Sequence, residues 1–273
     1  MILPPNACDA HCHIFGPAAR FPFSPTRSYT PADAGIEDFE RLQTRLGLSR
    51  AVFVQASCHG TDNAAMVDAL RRGAGRYAGV AMVDEGISAA ELAELHEAGV
   101  RGVRFNFVAH LGGPPELDGF WRIVERVVPL GWHVVLHLDA RDLPGLTDLL
   151  GRLPCPFVID HMARIDAAAG LDQVPFVALL DLLRDDRCWV KVSGAERVTA
   201  DGPPPYDDVV PYAQAIIEAA PTRVLWGTDW PHPNVRHLPD DADLVDLLAQ
   251  FAPDEPTRHR ILVENPTRLY DFA

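Results

Sequence analysis

The chain has 273 residues, of which 48% are hydrophobic, and a formal net charge of −14. This length fits one (β/α)8 barrel, and the apolar content is sufficient for a full core. The negative charge argues against nucleic acid or an anionic membrane as a partner, and no segment has the length of a membrane span or the pattern of a secretory signal. The five cysteines form an odd set without Cys-x-x-Cys spacing, so we expect reduced thiols and a cytoplasmic protein.

Short apolar segments alternate with amphipathic ones along the whole chain. The apolar segments predict strands at residues 7–15, 51–58, 78–84, 100–107, 132–139, 156–162, 188–193 and 223–229. The amphipathic segments predict helices at residues 37–46, 62–74, 88–97, 118–129, 142–152, 174–185, 207–219 and 242–251. Several strands are apolar throughout, which is typical of strands buried on both faces. Eight alternations predict the α/β class and a (β/α)8 TIM-like barrel, and since no linker interrupts them we expect one domain over residues 1–273.

The first and last predicted strands end in residues suited to catalysis. His11 and His13 lie two positions apart, so they share one face of the first strand. Two imidazoles on one face can hold a metal ion or polarise a carbonyl group. Asp229 ends the eighth strand in the string Gly227-Thr228-Asp229, where its carboxylate could activate a water molecule beside the histidines.

Polar side chains follow most of the other strands at the same end, which in a barrel forms a single mouth. They are Gln55, Ser57, His59, Arg104, Asn106, His110, His137, Asp139, His161, Arg164, Lys191, Ser193, Arg197 and His232. Such groups are costly to bury unless they pair with one another or with a ligand. The pattern therefore predicts an active site at the mouth, and the arginines within an acidic chain favour a small anionic substrate.

Other polar residues receive structural interpretations. Alternation along the sixth strand directs Asp160 away from His161, and Asp139 and Glu196 can serve as ion-pair partners for nearby arginines. A carboxylated, metal-bridging lysine is not expected at Lys191, because it lies on the seventh strand. Four further histidines are expected at the surface, namely His96, His133, His237 and His259.

Several longer strings are more specific than the individual residues. They include Asp9-Ala10-His11-Cys12-His13-Ile14-Phe15, Val54-Gln55-Ala56-Ser57-Cys58-His59-Gly60, Gly102-Val103-Arg104-Phe105-Asn106 and Trp226-Gly227-Thr228-Asp229-Trp230-Pro231-His232. Through these strings the chain resembles the amidohydrolase superfamily, in its lactonase branch, over nearly its whole length.

The resemblance implies hydrolysis of a cyclic ester whose ring bears two carboxylates, as occurs in the breakdown of aromatic acids. It implies that His11, His13 and His161 polarise the lactone carbonyl and that Asp229 is the general base. The substrate carboxylates would be bound by arginines, and other side chains would line the substrate; the implied residues are Arg104, Arg164, Arg197, Tyr29 and Ser57. On this interpretation no cofactor is required.

Two positions depart from the lactonase pattern. His110 stands where those enzymes have an arginine, and His137 stands where they have a tyrosine. A histidine on the fifth strand is a metal ligand in metal-dependent members of the superfamily. A single divalent ion, with zinc as the first candidate, could therefore be held by His11, His13, His137, His161 and Asp229. The alternative function is a metal-dependent lactonase or decarboxylase acting on another substrate, and the oligomeric state stays open.

Overall fold

A computed structural model describes residues 1–273, and it contains one sheet of eight parallel strands in the order of the sequence. The strands are β1 (Cys8–Cys12), β2 (Arg50–Val54), β3 (Tyr77–Ala81), β4 (Val100–Asn106), β5 (His133–His137), β6 (Phe157–Ile159), β7 (Cys188–Lys191) and β8 (Val224–Leu225). Backbone hydrogen bonds from Ala10 N to Trp226 O and from Asp229 N to His11 O, each 2.8 Å, bring the end of β8 against β1. The sheet thus forms a nearly closed (β/α)8 barrel, as predicted.

Helices connect the strands and surround the barrel. They are α1 (Ile36–Leu46), α2 (Ala64–Arg72), α3 (Ala89–Glu97), α4 (Leu117–Val127), α5 (Leu143–Gly151), α6 (Val174–Leu182), α7 (Ala195–Val198), α8 (Val210–Ala219), α9 (Asp241–Phe251), α10 (Glu255–His259) and α11 (Asn265–Tyr270). Every predicted helix overlaps an observed one, and the short helices α7, α10 and α11 are additional. None of the helices combines the length and apolar composition that crossing a membrane requires.

Local chemistry explains where the helices begin and which face they bury. Ser88 precedes α3 and forms a capping box with Glu91, with bonds of 3.2 Å and 2.8 Å. In α4 the buried residues recur at helical spacing, and Phe120 packs on Phe105 of β4 with ring centroids 4.6 Å apart. The same spacing turns the apolar side of each amphipathic helix toward the sheet.

One histidine expected at the surface is in fact buried. His133 begins β5 with only 2% of its surface exposed, and neither ring nitrogen has a hydrogen-bond partner. Gly102 on the neighbouring strand provides the space, because a Cβ there would lie 2.6 Å from His133 Nε2. The spacing of residues in the sequence does not reveal that this histidine lies opposite a glycine on the adjacent strand.

The connections after the strands form the mouth of the barrel. The long segment after β1 is closed at its base, because Phe15 and Ala34 exchange backbone hydrogen bonds of 2.8 Å and 2.7 Å. This pairing places Tyr29, within the segment, over the carboxyl ends of the strands, where it lines the same cavity as His13.

Candidate active site

A cavity of about 140 Å³ opens at the carboxyl ends of the strands. All but one of the residues given a catalytic, substrate-binding or metal-binding role line it, namely His13, Tyr29, Ser57, Arg104, His110, His137, His161, Arg164, Arg197 and Asp229. The exception, His11, is completely buried and lies beside Asp229. The other polar residues predicted at the mouth do not line it, namely Gln55, His59, Asn106, Asp139, Lys191, Ser193 and His232. Leu111, Pro233 and Asn234 complete the lining.

Asp229 lies between the histidines on one side and an arginine on the other. Its Oδ1 is 3.1 Å from His13 Nε2, 3.5 Å from His11 Nε2 and 3.8 Å from His161 Nε2. Its Oδ2 accepts a hydrogen bond of 2.6 Å from Arg197 Nε, and Arg197 Nη2 lies 2.5 Å away. Oδ1 is therefore the oxygen that faces the imidazoles and is available to reacting atoms.

A buried carboxylate joins the two sequence motifs. Asp9 accepts hydrogen bonds from the backbone of His11 (3.1 Å) and Thr228 (3.0 Å) and from the Thr228 hydroxyl (2.6 Å). The chains approach so closely that a Cβ on Gly227 would lie 2.4 Å from His11 N, so only glycine fits there. The strings around His11 and Asp229 are thus two halves of one structural unit.

Two segments of the site have left-handed backbone conformations. The four residues from His161 to Arg164 have φ angles of 51° to 56°, and Asp229 has a φ of 65°. For residues with a Cβ this conformation costs roughly 1–2 kcal/mol each. Strained backbone of this kind concentrates at functional sites, where surrounding contacts hold it in place.

The left-handed turn also explains an unexpected position. Alternation predicted that Asp160 points away from His161, but β6 ends at Ile159 and strand alternation stops there. Asp160 is fully buried, 3.1 Å from Lys191 Nζ, 3.3 Å from His11 Nδ1 and 3.3 Å from Arg104 Nε. It therefore lies directly beneath the site.

Each of the three predicted anion-binding arginines has a carboxylate partner: Arg104 has Asp160 (3.3 Å), Arg164 has Asp139 (2.8 Å) and Arg197 has Asp229 (2.5 Å). These partners offset part of the positive charge. Repulsion among the guanidinium groups is therefore not by itself evidence for a bound anion. The position of all three around one cavity is the stronger observation.

Burial and charge shift the pKa values of the reacting groups. Burial alone would raise the pKa of Asp229, but Arg197 and His161 outweigh it and hold the pKa well below its usual range. Burial lowers the pKa of His161 to about 3 against the opposing charge of Asp229, and burial with the charge of Arg104 lowers the pKa of His137. Near neutral pH the site thus combines an ionised Asp229 with neutral rings at His137 and His161.

Two groups of side chains have ligand atoms close enough to share a metal ion. The first is His11, His13 and Asp229, and the second is His11, Asp160 and His161. Zinc accepts nitrogen and carboxylate ligands of this kind. Two cations already contact the first group, because Arg197 contacts Asp229 and Lys191 Nζ lies 3.0 Å from His11 Nδ1. A third positive charge would be opposed by both, so the group does not fit a metal ion as a complete set. His137 Nε2 is buried without a partner and stands apart from both groups.

Sequence reasoning did not predict that Asp9 and Asp160 contact the residues of the site, and it placed Lys191 at the mouth without its contact to His11. Asp9 has a signal in the spacing Asp-x-His, and Lys191 has one in being the only lysine of the chain, within an apolar strand. Asp160 has no usable signal, since its position depends on the turn that follows it. Glu196 is also completely buried, 3.4 Å from Arg197 Nε, which agrees with its expected ion-pair role.

The chain matches a known protein family over almost its whole length. The amidohydrolase family model matches residues 8–272. This chain belongs to the amidohydrolase family. The sequence resemblance is thereby confirmed, along with the barrel fold.

Similar proteins in this family carry names of lactone hydrolases. A 2-pyrone-4,6-dicarboxylate hydrolase of Comamonas testosteroni is 49% identical, with 98% of this chain and 91% of that protein covered. A 4-sulfomuconolactone hydrolase of Rhizobium radiobacter is 43% identical with the same coverage. The solved structure of a probable 2-pyrone-4,6-dicarboxylic acid hydrolase from Acinetobacter baumannii, with citric acid bound, is 29% identical, has a TM-score of 0.86, and is covered over 98% of this chain and 100% of that one.

Proposed function

We propose that this amidohydrolase opens a lactone ring bearing two acid groups, 2-pyrone-4,6-dicarboxylate or a close analogue. The observation that carries the proposal is the shared cavity: three arginines line it, together with a carboxylate that faces three imidazoles. The two relatives named above are hydrolases of lactones that carry acid groups. The general class, a hydrolase that acts on lactones, rests on these relatives and on the family.

The arginines supply the recognition of acid groups in this proposal. Arg164 and Arg197 are partly accessible, with 26% and 12% of their side-chain surface exposed, whereas Arg104 is 5% exposed. Guanidinium groups bind carboxylates with two parallel hydrogen bonds, which orients as well as holds a ring. The solved structure of the Acinetobacter relative contains bound citric acid, a polycarboxylate, which supports this part of the proposal.

Asp229 is proposed to activate the attacking water. Its Oδ1 removes a proton as the water oxygen forms a bond to the lactone carbonyl carbon. His13 gives this proton a second acceptor. The carbonyl of Val54 can only accept, so His13 Nδ1 donates to it at 2.7 Å and the ring directs Nε2 at Asp229 Oδ1. A proton shared between Oδ1 and Nε2 then passes to the ring oxygen as the carbon–oxygen bond breaks.

The remaining imidazoles are proposed to stabilise the negative charge that develops on the carbonyl oxygen. The Nε2 atoms of His11 and His161 lie 3.5 Å and 3.8 Å from Asp229 Oδ1, beside the position proposed for the reacting carbonyl, and removal of one such donor commonly lowers kcat by about 10² to 10³. The departing oxygen of a pyrone is an enolate, a better leaving group than a simple alkoxide. Tyr29 and Ser57 also line the cavity, where they would contact the ring.

A panel of lactones tests this function. The panel contains 2-pyrone-4,6-dicarboxylate, its monocarboxylate analogue, 4-sulfomuconolactone and a neutral sugar lactone. We expect kcat/KM to be highest for the substrates with two acid groups and at least about 10²-fold lower for the neutral lactone, since lost charged contacts typically cost several kcal/mol. Faster turnover of the neutral lactone, or release of carbon dioxide in place of ring opening, would support the alternative enzyme class instead.

A further inference from the structure

The only lysine of the chain contacts a histidine of the site. Lys191 is fully buried at the end of β7, and its Nζ lies 3.0 Å from His11 Nδ1. The same Nζ forms an ion pair with Asp160 Oδ1 at 3.1 Å. His11 Nε2, on the other side of the ring, has no hydrogen-bond partner and lies 3.5 Å from Asp229 Oδ1.

The chemistry of the lysine restricts where the imidazole carries its hydrogen. An ammonium group has three donors and no acceptor, so a hydrogen bond between Lys191 and His11 requires Nδ1 to accept. A neutral imidazole that accepts at Nδ1 carries its hydrogen on Nε2. The ring is neutral here, because burial and the charge of Lys191 hold the pKa of His11 well below its ordinary value.

The opposite tautomer satisfies fewer groups. If His11 Nδ1 carried the hydrogen, it would donate to Asp160 Oδ1 over the longer distance of 3.3 Å. The Nδ1 hydrogen and the Lys191 ammonium would then face each other over 3.0 Å with no acceptor between them. With the hydrogen on Nε2, one ammonium hydrogen serves His11 and the carboxylate of Asp160 still balances the lysine charge.

We propose that Lys191 is a positioning residue that holds His11 in the Nε2–H tautomer, so that His11 is a hydrogen-bond donor to the reacting carbonyl oxygen and not a metal ligand. His13 has the opposite arrangement, since its Nδ1 donates to Val54 O. The two histidines on β1 therefore have different roles despite their equivalent spacing: His11 donates from Nε2, whereas His13 Nε2 can accept the proton that Asp229 removes from water.

This arrangement has a consequence for metal binding that does not depend on the substrate. A metal ion needs an Nε2 lone pair, which His11 lacks while Lys191 donates to Nδ1. When Lys191 is replaced by methionine, Nδ1 is free to donate to Asp160, and Nε2 becomes available with a carboxylate behind the ring. Metal-bound histidines in proteins typically have that second partner. Lys191→Met should therefore convert His11, His13 and Asp229 into a zinc site.

The tautomer is measurable in the unmodified protein. Two-bond ¹⁵N–¹H correlation spectra of ¹⁵N-histidine-labelled protein, assigned with His11→Gln, report which ring nitrogen carries the hydrogen. We expect Nε2–H for His11 and Nδ1–H for His13 near pH 7. An Nδ1–H tautomer for His11 overturns the proposal, and this measurement does not require the Lys191 variant to fold.

Zinc titration provides the second test. Protein stripped of metal is titrated with Zn²⁺ alone and followed by calorimetry and elemental analysis. We expect one zinc per chain for Lys191→Met, with affinity at least 10-fold above that of the unmodified protein, and loss of this gain in the Lys191→Met/His11→Gln double variant. Stoichiometric zinc in the unmodified protein that is lost in His11→Gln contradicts the proposal.

The kinetic readout rests on the proposed function, whereas the spectra and the zinc titration do not. With the best substrate of the panel, metal-free Lys191→Met should lose about 10-fold or more in kcat while KM changes by less than about 3-fold, since one oxyanion donor is lost. If Lys191→Met lowers both kcat and the melting temperature while His11 keeps its tautomer, the lysine has a purely structural role. Absence of lactone hydrolysis together with an Nε2–H tautomer at His11 would refute only the proposed function.

Discussion

The two oxygens of Asp229 have different surroundings, and this difference separates catalysis from orientation. Oδ1 faces the imidazoles and Oδ2 faces Arg197. Asp229→Asn keeps the shape of the side chain but removes its basic oxygen. We expect kcat to fall by about 10² to 10⁴ while KM stays similar or decreases, because Arg197 becomes free to bind substrate. Steady-state kinetics and a denaturation curve for the folded state provide the measurement, and near-normal kcat would refute the base assignment.

Arg164 and Arg197 differ in what they contact, so their removal should have different kinetic effects. Arg164 pairs with Asp139, away from the reacting carboxylate, whereas Arg197 pairs with Asp229. Arg164→Met should therefore raise KM for the dicarboxylate more than for its monocarboxylate analogue and leave kcat within a few-fold. Equal changes in KM for both substrates would contradict a role in binding the second carboxylate.

Arg197→Met should in addition alter the pH dependence of kcat. Arg197 holds the pKa of Asp229 below its usual range, against the effect of burial. Without it the pKa rises, Asp229 becomes protonated at higher pH, and the acid limb of the kcat profile moves upward in pH. The acid limb of Arg164→Met serves as the control and should not move. An unchanged acid limb in Arg197→Met would mean that Asp229 is not the group that titrates.

At the scale of elements, the pattern of apolar residues was sufficient to predict the strands and helices of the barrel but not the turns between them. Apolar runs predicted all eight strands because parallel strands in this fold are buried on both faces. The four-residue left-handed turn from His161 to Arg164 follows no local rule, because its sequence contains no glycine. Packing from other parts of the chain holds this turn. Because β6 ends before it, Asp160 does not point where strand alternation predicted. The short helices at the C-terminus, α10 and α11, lacked enough turns to show a period.

The short helical turn after β4 carries the residue that departs from the lactonase pattern. His110 lies at the rim of the cavity, on the turn Ala109–Leu111, and partial burial and the charge of Arg164 lower its pKa. A protonated His110 would add positive charge beside the substrate. KM for a dianionic lactone should therefore fall as pH decreases, with a midpoint below the ordinary value of about 6.5.

His110→Gln provides the comparison for this pH dependence. It retains a polar side chain of similar length but cannot acquire charge, so its KM should vary less with pH than that of the unmodified protein. KM values measured from pH 5 to pH 8 with the dicarboxylate decide the question. Parallel KM profiles for the two proteins would assign the pH dependence to another group.

At the scale of the whole molecule, the site collects residues from nearly every strand, which is why so much of it was predictable. Polar groups at the carboxyl ends of apolar strands meet at one mouth whatever the register. Pairing among those groups was not predictable, because the same residues permit several partners. Asp139 pairs with Arg164, as its ion-pair interpretation allowed, but the pairing of Asp160 with Arg104 was not predicted. The tautomer of His11 depends on a lysine 180 positions away.

The interior of the barrel also contains a histidine whose burial links stability to pH. His133 has no hydrogen-bond partner for either ring nitrogen, and burial lowers its pKa to about 3, with a contribution from Lys191. The unfolded chain has the ordinary value of about 6.5. Between these two values the unfolded state binds a proton that the folded state does not, so His133 removes stability as pH falls below about 6.5.

His133→Leu should therefore stabilise the protein against acid. A leucine of similar volume has no nitrogens to leave unbonded and no proton to gain, so the free energy of unfolding should change little or rise modestly at pH 8. At pH 5 the variant should gain about 2 kcal/mol more than it does at pH 8, since the unfolded state of the unmodified protein is then protonated at this position. Urea denaturation of both proteins at the two pH values measures this difference. An equal gain at pH 5 and pH 8 would show that His133 binds a proton as readily in the folded barrel as in the unfolded chain, so that burial does not lower its pKa.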